Sequence, residues 1–271
     1  RGGVWIWPRA FTLENYQMAF EDPTIGTSLL ISVSATLLSI VLGLIVTALA
    51  AYALSVKTLP GKTFMNFFWY FTTIFGGGMV ANYVVVGQVL HMSNTLWALI
   101  LPLCVSSFNV TISRTFFRTT IPDSIIESAK IDGGSNWFNF RNQMTVFAKI
   151  VLPISKPVLA TIGLFLAFGY WNDWFQSSLF ITDNNLLALQ ALLNSMQKNI
   201  EYIAQHPDPG ISLADYKRAM PSEGIRMAIA VVVAVPIACI YPFFQKYFIS
   251  GLTVGGICLI KAVHLRPQPH G

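Results

Sequence analysis

Charged residues are missing from four long stretches of this chain, and those gaps outline its architecture. No Asp, Glu, Lys or Arg falls between Asp22 and Lys57, Lys62 and Arg114, Lys156 and Asp173, or Arg226 and Lys246. A helix that crosses a bilayer needs about 20 mainly apolar residues at about 1.5 Å of rise each. The gap after Lys62 holds two such lengths, divided by the polar stretch LHMSNT at Leu90–Thr95. The pattern therefore predicts five spanning helices, near Thr27–Leu54, Phe64–Leu90, Leu96–Ser113, Ile154–Trp171 and Gly224–Phe244. They form one transmembrane domain over residues 27–248, with polar insertions at 119–152 and 173–223, a leading segment 1–26 and a tail 249–271. The expected fold class is all-α and polytopic.

Composition sharpens this picture. Of 271 residues 54% are hydrophobic and 11% charged, with a mean hydropathy of +0.58. A soluble domain carries roughly 25% charged residues, so too few charges remain to cover a soluble surface. Cytoplasmic loops carry an excess of Lys and Arg. Lys57, Lys62, Arg114, Arg118, Lys130, Arg141, Lys149, Lys156, Lys246, Lys261 and Arg266 share one side with only three acids, Asp123, Glu127 and Asp132. The other side holds the remaining bases and most of the acids. The first side is therefore predicted to be cytoplasmic and residues 1–26 and 173–223 to lie outside, which calls for a further span upstream of residue 1. The net charge of +5 is an orientation signal, and no nucleic-acid partner is expected.

Chemistry is sparse. Cys104, Cys239 and Cys258 show no metal-ligand spacing, and His91, His206, His264 and His270 are scattered. No acidic residue falls inside a predicted span, which weighs against an intramembrane enzyme and an ion-coupled carrier. Gly61-Lys62-Thr63 imitates the end of a phosphate-binding loop, but Val56 stands where that pattern needs its first Gly. No catalytic residue, metal or cofactor is expected in this chain.

The insertion at 119–152 breaks the apolar pattern. Thr119-Thr120 before Pro122 and Asp123 reads as a helix start. Ile121, Ile125, Ala129 and Asp132 recur at helical spacing, and Gly133-Gly134 ends the helix. A second helix capped by Ser135 or Asn136 would carry Trp137, Phe138, Phe140, Met144 and Phe147 until Pro153 and Pro157 break it, with Pro157 in the first turn of the next span.

This insertion resembles the signature of ABC importer permeases, in which E-A-A, three residues and Gly are followed by I-x-L-P. Here it reads Glu127-Ser128-Ala129, then Lys130-Ile131-Asp132 and Gly133-Gly134, and later Ile150-Val151-Leu152-Pro153. Sixteen residues from Gly134 to Lys149 separate the two halves, seven more than the pattern usually has. Seven residues make nearly two helical turns, so the expectation is a second helix lengthened in phase and continuous through Phe138–Phe147. The blocks FGGGMVANYVVVGQVLHMSNTLWALILPLCVSSFNV, KPVLATIGLFLAFGYWNDWF and PSEGIRMAIAVVVAVPIACIYPFFQKYFISGLTVGG look like the maltose-type, carbohydrate branch, alginate-type permeases among them. The tail after that last block runs longer than the resemblance implies.

The resemblance implies a type I importer fold in a bacterial inner membrane. It implies a heterodimer with a second permease, two cytoplasmic ATPases that bind ATP and Mg, a periplasmic binding protein and an oligosaccharide substrate. Glu127 to Gly133 would be the helix that docks into the ATPase. An importer of another solute, such as amino acids, is the alternative within the class. For the path itself, Tyr70, Phe75, Gly77 and Tyr83 sit around the Gly76-Gly77-Gly78 run, and Trp171, Asn172 and Trp174 mark the outer end of a span. Aromatic rings suit the C–H faces of sugars. Singly, each of these residues also suits packing or the membrane interface.

Overall fold

The computed structural model describes residues 23–56, 59–132, 140–205 and 227–239, with residues 16, 17, 21 and 242 in addition. All regular structure among them is helical. Helix α1, Pro23–Ser55, has 33 residues and is the axis of the fold. It is about 50 Å long at helical rise, well beyond the roughly 30 Å of a hydrocarbon core. After it come α2 (Lys62–Ile74), α3 (Gly78–Tyr83), α4 (Leu96–Cys104), α5 (Ser107–Thr120) and α6 (Asp123–Asp132). Then follow α7 (Phe140–Val146), α8 (Leu152–Ile154), α9 (Lys156–Trp171), α10 (Phe175–Phe180), α11 (Leu189–Gln205) and α12 (Met227–Cys239).

Helix α1 is built inside out by the standards of a soluble protein. Ser28, Ser32, Thr36, Ser39, Gly43, Thr47 and Ala51 recur every three or four residues and are buried. Leu30, Leu37, Leu38, Val41 and Ile45 face outward. Lipid is as apolar as leucine, so helices in a bilayer associate through small residues that let backbones approach. At Gly43 a Cβ would lie 2.8 Å from Leu166 Cδ1 and 3.1 Å from the Cys104 carbonyl oxygen. Helices α4, α5 and α9 pack around this face, and the main core joins Ala48, Ala51 and Tyr52 to Val110, Phe117, Phe147, Val151, Ile162, Leu166 and Tyr170. A second cluster, Ile25, Leu189, Leu192, Ile229 and Val233, ties α11 and α12 to the start of α1.

The five expected spans take three forms. Among the described residues α1 alone is long and apolar enough to cross a membrane unaided. Two expected spans are bent pairs. Helices α4 and α5 meet at 48°, and residues 142–154 meet α9 at 81°. The other two appear as shorter apolar helices, Gly78–Val89 and Met227–Cys239. The span expected at Phe64–Leu90 is interrupted at Phe75–Gly77, and Gly78, the third glycine of the run and the first residue of α3, takes a φ of 82°. Beyond α3 the chain widens into a π-helical turn, Val84–Val89.

Two expectations need correction. Thr119 and Thr120 do not cap α6; they close α5, and the Thr119 hydroxyl donates to the Thr115 carbonyl at 3.0 Å. The residue before a proline disfavours the α region. Ile121 is accordingly extended, and α6 begins after Pro122, whose carbonyl accepts from Ile125 N–H at 3.1 Å. Pro153 does not break its helix either. A π-helical turn at Phe147–Val151 precedes it, and a wider turn relieves the clash between a proline ring and the carbonyl four residues back. The bend falls instead at Ser155, with Pro157 in the first turn of α9 as expected. The second insertion helix runs on through this turn, helical from Phe140 to Ile154; its start, with Trp137, Phe138 and the cap at Ser135 or Asn136, lies outside the described residues.

Candidate functional site

Three surfaces carry the residues singled out by sequence. The first is α6, ten residues hung from α5 by the Ile121–Pro122 turn. Ile126 packs toward the main core, while Glu127 and Ser128 are exposed. The Ser128 hydroxyl donates to the Ser124 carbonyl at 2.9 Å, so it is spent on its own helix. Ala129, Lys130 and Asp132 belong to α6 by backbone, and the Gly133-Gly134 turn lies outside the described residues. At the motif's far end Ile150 is half-buried, and Leu152 and Pro153 are exposed beside the π-helical turn.

The second surface is the broken span of α2 and α3. Every residue from Tyr70 to Ala81 is exposed, with Tyr70 at 58% and Phe75 at 64%. The Phe67, Phe71 and Phe75 rings follow one another along α2, 6.1 and 5.2 Å apart by centroid. A hydroxyl pair, Thr72 with Ser107 at 2.7 Å, pins α2 to the head of α5. Gly77 opens the break, and Tyr83 stacks on Phe180, 6.0 Å away and nearly parallel. The two helix ends that meet at Phe75–Gly77 leave backbone groups without intrahelical partners.

The third surface lies at the end of α9, and there the three expected residues part company. Trp171 is 8% exposed and its indole N–H donates to the Val233 carbonyl at 2.9 Å, so it fastens α9 to α12. Asn172 donates to the Phe168 carbonyl at 2.9 Å and accepts from Gln190 Nε2 at 3.3 Å. Asp173 caps α10, accepting from the Phe175 and Gln176 N–H groups at 3.2 and 3.3 Å. Burial raises its carboxyl above the ordinary carboxylate range, and those two bonds draw it partly back. Trp174 remains 41% exposed, with the Lys198 ammonium 5.1 Å from its ring centroid. It forms one wall of an open cleft of about 420 Å³ that also takes in Gln190, Leu193, Asn194, Gln197, Met227 and Ala230.

Sequence reasoning did not single out Gln190, Asn194 and Gln197. Their signal was present: they recur at spacings of four and three along α11, opposite a buried face that includes Leu189 and Leu192. Asn94 was likewise missed. It takes a left-handed φ of 56° and its side-chain oxygen accepts from the Thr182 and Asp183 N–H groups at 2.7 and 3.2 Å, fixing the loop after α10. Among the described residues no three His, Cys, Asp or Glu side chains are placed to hold a metal ion.

No family profile matches the chain. It is 36% identical over 253 residues to protein LplC of Bacillus subtilis strain 168, covering 93% of this chain and 81% of that one. It is also 36% identical over 250 residues to the polygalacturonan/rhamnogalacturonan transport system permease protein YtcP of the same organism, covering 92% and 83%. Among solved structures, a bacterial ABC transporter involved in import of the acidic polysaccharide alginate superposes with a TM-score of 0.74, covering 92% of this chain and 84% of that one at 24% identity. That likeness shows the fold, an ABC permease built of helices. Together, the lipid-adapted helices and these relatives place the chain in the family of carbohydrate ABC transporter permeases, the non-catalytic membrane subunits whose partner ATPases hydrolyse ATP.

Proposed function

We propose that this permease imports oligosaccharides, acidic polysaccharide fragments in particular, across the bacterial inner membrane. It would work beside a second permease, two cytoplasmic ATPases that bind ATP and Mg, and a periplasmic binding protein. Support for the acidic class comes from the neighbours. YtcP is named for polygalacturonan and rhamnogalacturonan, and the solved transporter for alginate. All are polymers that contain uronic acids.

The observation that carries the path is the break at Phe75–Gly77 within an exposed aromatic stretch. Irregular backbone at membrane depth is tolerated only where protein or a water-filled cavity covers it. This face of α2 and α3 therefore turns toward the sister permease and the conduit, where Tyr70, Phe75 and Tyr83 offer rings to sugar faces. On the cytoplasmic side α6 is the coupling helix, with Glu127 on its exposed face for the ATPase and Lys130, Asp132 and Gly133 completing the contact. Movement of α6 reaches the core through Ile126 and the Ile121–Pro122 turn, and so reaches α1 and α9. Closure of the ATPases would then switch the conduit from outward to inward opening.

The substrate class is tested by competition in proteoliposomes holding the complete transporter. Uptake of labelled trigalacturonate should be reduced by unlabelled trigalacturonate and unaffected by glutamine. ATP-dependent uptake of labelled glutamine, with no uptake of any saccharide, would place the chain with an importer of another solute.

A further inference from the structure

The cleft between Trp174 and α11 has the chemistry of a sugar site. Pyranose rings present an apolar C–H face and a rim of vicinal hydroxyls that both donate and accept. An aromatic ring serves the first and carboxamides, with donors and acceptors side by side, serve the second. Trp174 supplies the ring, and Gln190, Asn194 and Gln197 supply three amides from one face of α11. Successive residues turn by about 100°, so positions four and seven after Gln190 lie within about 40° of it. The opposite face of α11 is clamped by Leu189 and Leu192 against Ile25 and Ile229, which fixes where the amides point. The Asn194 and Gln197 side chains make no hydrogen bond to protein among the described residues, and Gln190 spends its Nε2 on Asn172. Lys198 holds the Trp174 ring by a cation–π contact. The volume of about 420 Å³ falls within the range of small-molecule sites.

We infer that this cleft is a carbohydrate-binding subsite that receives one or two pyranose units of the incoming oligosaccharide before they enter the conduit. The inference rests on the proposed import function and on the outer placement of residues 173–223. It adds a step at which the permease itself holds sugar, with Trp174 as the platform and the Asn194 and Gln197 amides as the hydroxyl readers. Glu201 shares the same helix face one turn beyond Gln197, so the rim is mixed in charge and the ring and the amides set the preference.

The test uses the complete transporter in proteoliposomes, with its binding protein and trigalacturonate. Two quantities are read: saccharide imported per ATP hydrolysed, and the binding-protein concentration that half-saturates ATPase activity. Trp174→Ala and the pair Asn194→Ala with Gln197→Ala should each lower saccharide imported per ATP by roughly five- to tenfold, as expected for lost hydrogen-bond or ring contacts. The half-saturating binding-protein concentration should not change. Trp174→Phe should restore most of the yield, because a ring platform remains. A raised half-saturating concentration with normal yield would make the cleft a docking surface for the binding protein and overturn the subsite. Wild-type yields in all variants would overturn it as well. If the wild-type transporter imports no saccharide at all, the import reading itself fails, which is a separate result.

Discussion

Single residues explain why α1 can serve as the axis. Gly43 stands where α9 and the end of α4 come closest, and a methyl group there meets a backbone carbonyl as well as a movable leucine. We expect Gly43→Val to cost about 1–3 kcal/mol of stability, seen as a lower unfolding temperature of the purified complex, with Gly43→Ala milder. Asp173 gives a second prediction. Its carboxyl is raised by burial, so the folded state holds the proton more tightly than the unfolded chain, and stability falls as pH rises from the ordinary carboxylate range through the raised value. Asp173→Asn keeps the capping oxygen and should lack that component of the fall, so the stability difference between variant and wild type grows with pH. Asp173→Ala also lacks that component but loses the cap, so it should be about 1 kcal/mol less stable than Asp173→Asn at any pH. Neither role was legible in the sequence. The stripe of Ser28, Ser32, Thr36, Ser39 and Gly43 is plainly written there, yet an average of hydropathy hides it because the large residues between dominate. Trp171 and Trp174 looked alike, and only the fold reveals that one is bonded into α12 and the other faces the cleft.

At the scale of elements, apolar length was the readable signal and breaks were read unevenly. The charge-free gaps located α1, α9 and the α4–α5 pair because burial in lipid forbids charge along the whole segment. The triple glycine lies at the α2–α3 break, where Gly78 accepts a φ of 82° without strain. The expected span at Phe64–Leu90 nevertheless ran through it, because glycines in a span suit close packing as well as a kink. At Ser155 the flanking Pro153 and Pro157 gave a mark, two residues to either side, whereas the bend at Ser106 was not read from the sequence. Gly78→Val would push a β-branched residue into the left-handed region. We expect it to re-form the helix ends and to abolish uptake while the complex still assembles. In a background without the native cysteines, Gly77→Cys should react with a water-soluble thiol reagent, and Leu37→Cys, on the outward face of α1, should not. Equal protection at both positions would put the break against lipid or dry protein and remove it from the conduit.

For the whole molecule, the distribution of Lys and Arg predicts the orientation, and function depends on it. As the proposed coupling helix, α6 would meet an ATPase only from the cytoplasm, and the proposed subsite at Trp174 would meet arriving sugar only from outside. Asn142→Cys should be labelled only from the cytoplasmic side. Asp208→Cys, beyond the described residues, should be labelled only from outside. At α6, Glu127→Lys reverses the charge on the exposed face and should reduce the amount of ATPase that co-purifies. The most direct measurement of the central claim is accumulation of trigalacturonate against its own gradient by the reconstituted transporter. The account predicts accumulation that requires ATP on the α6 side and the binding protein on the other, persists when ion gradients are collapsed, and is lost in Gly133→Val. Accumulation driven by an imposed ion gradient without ATP would contradict it.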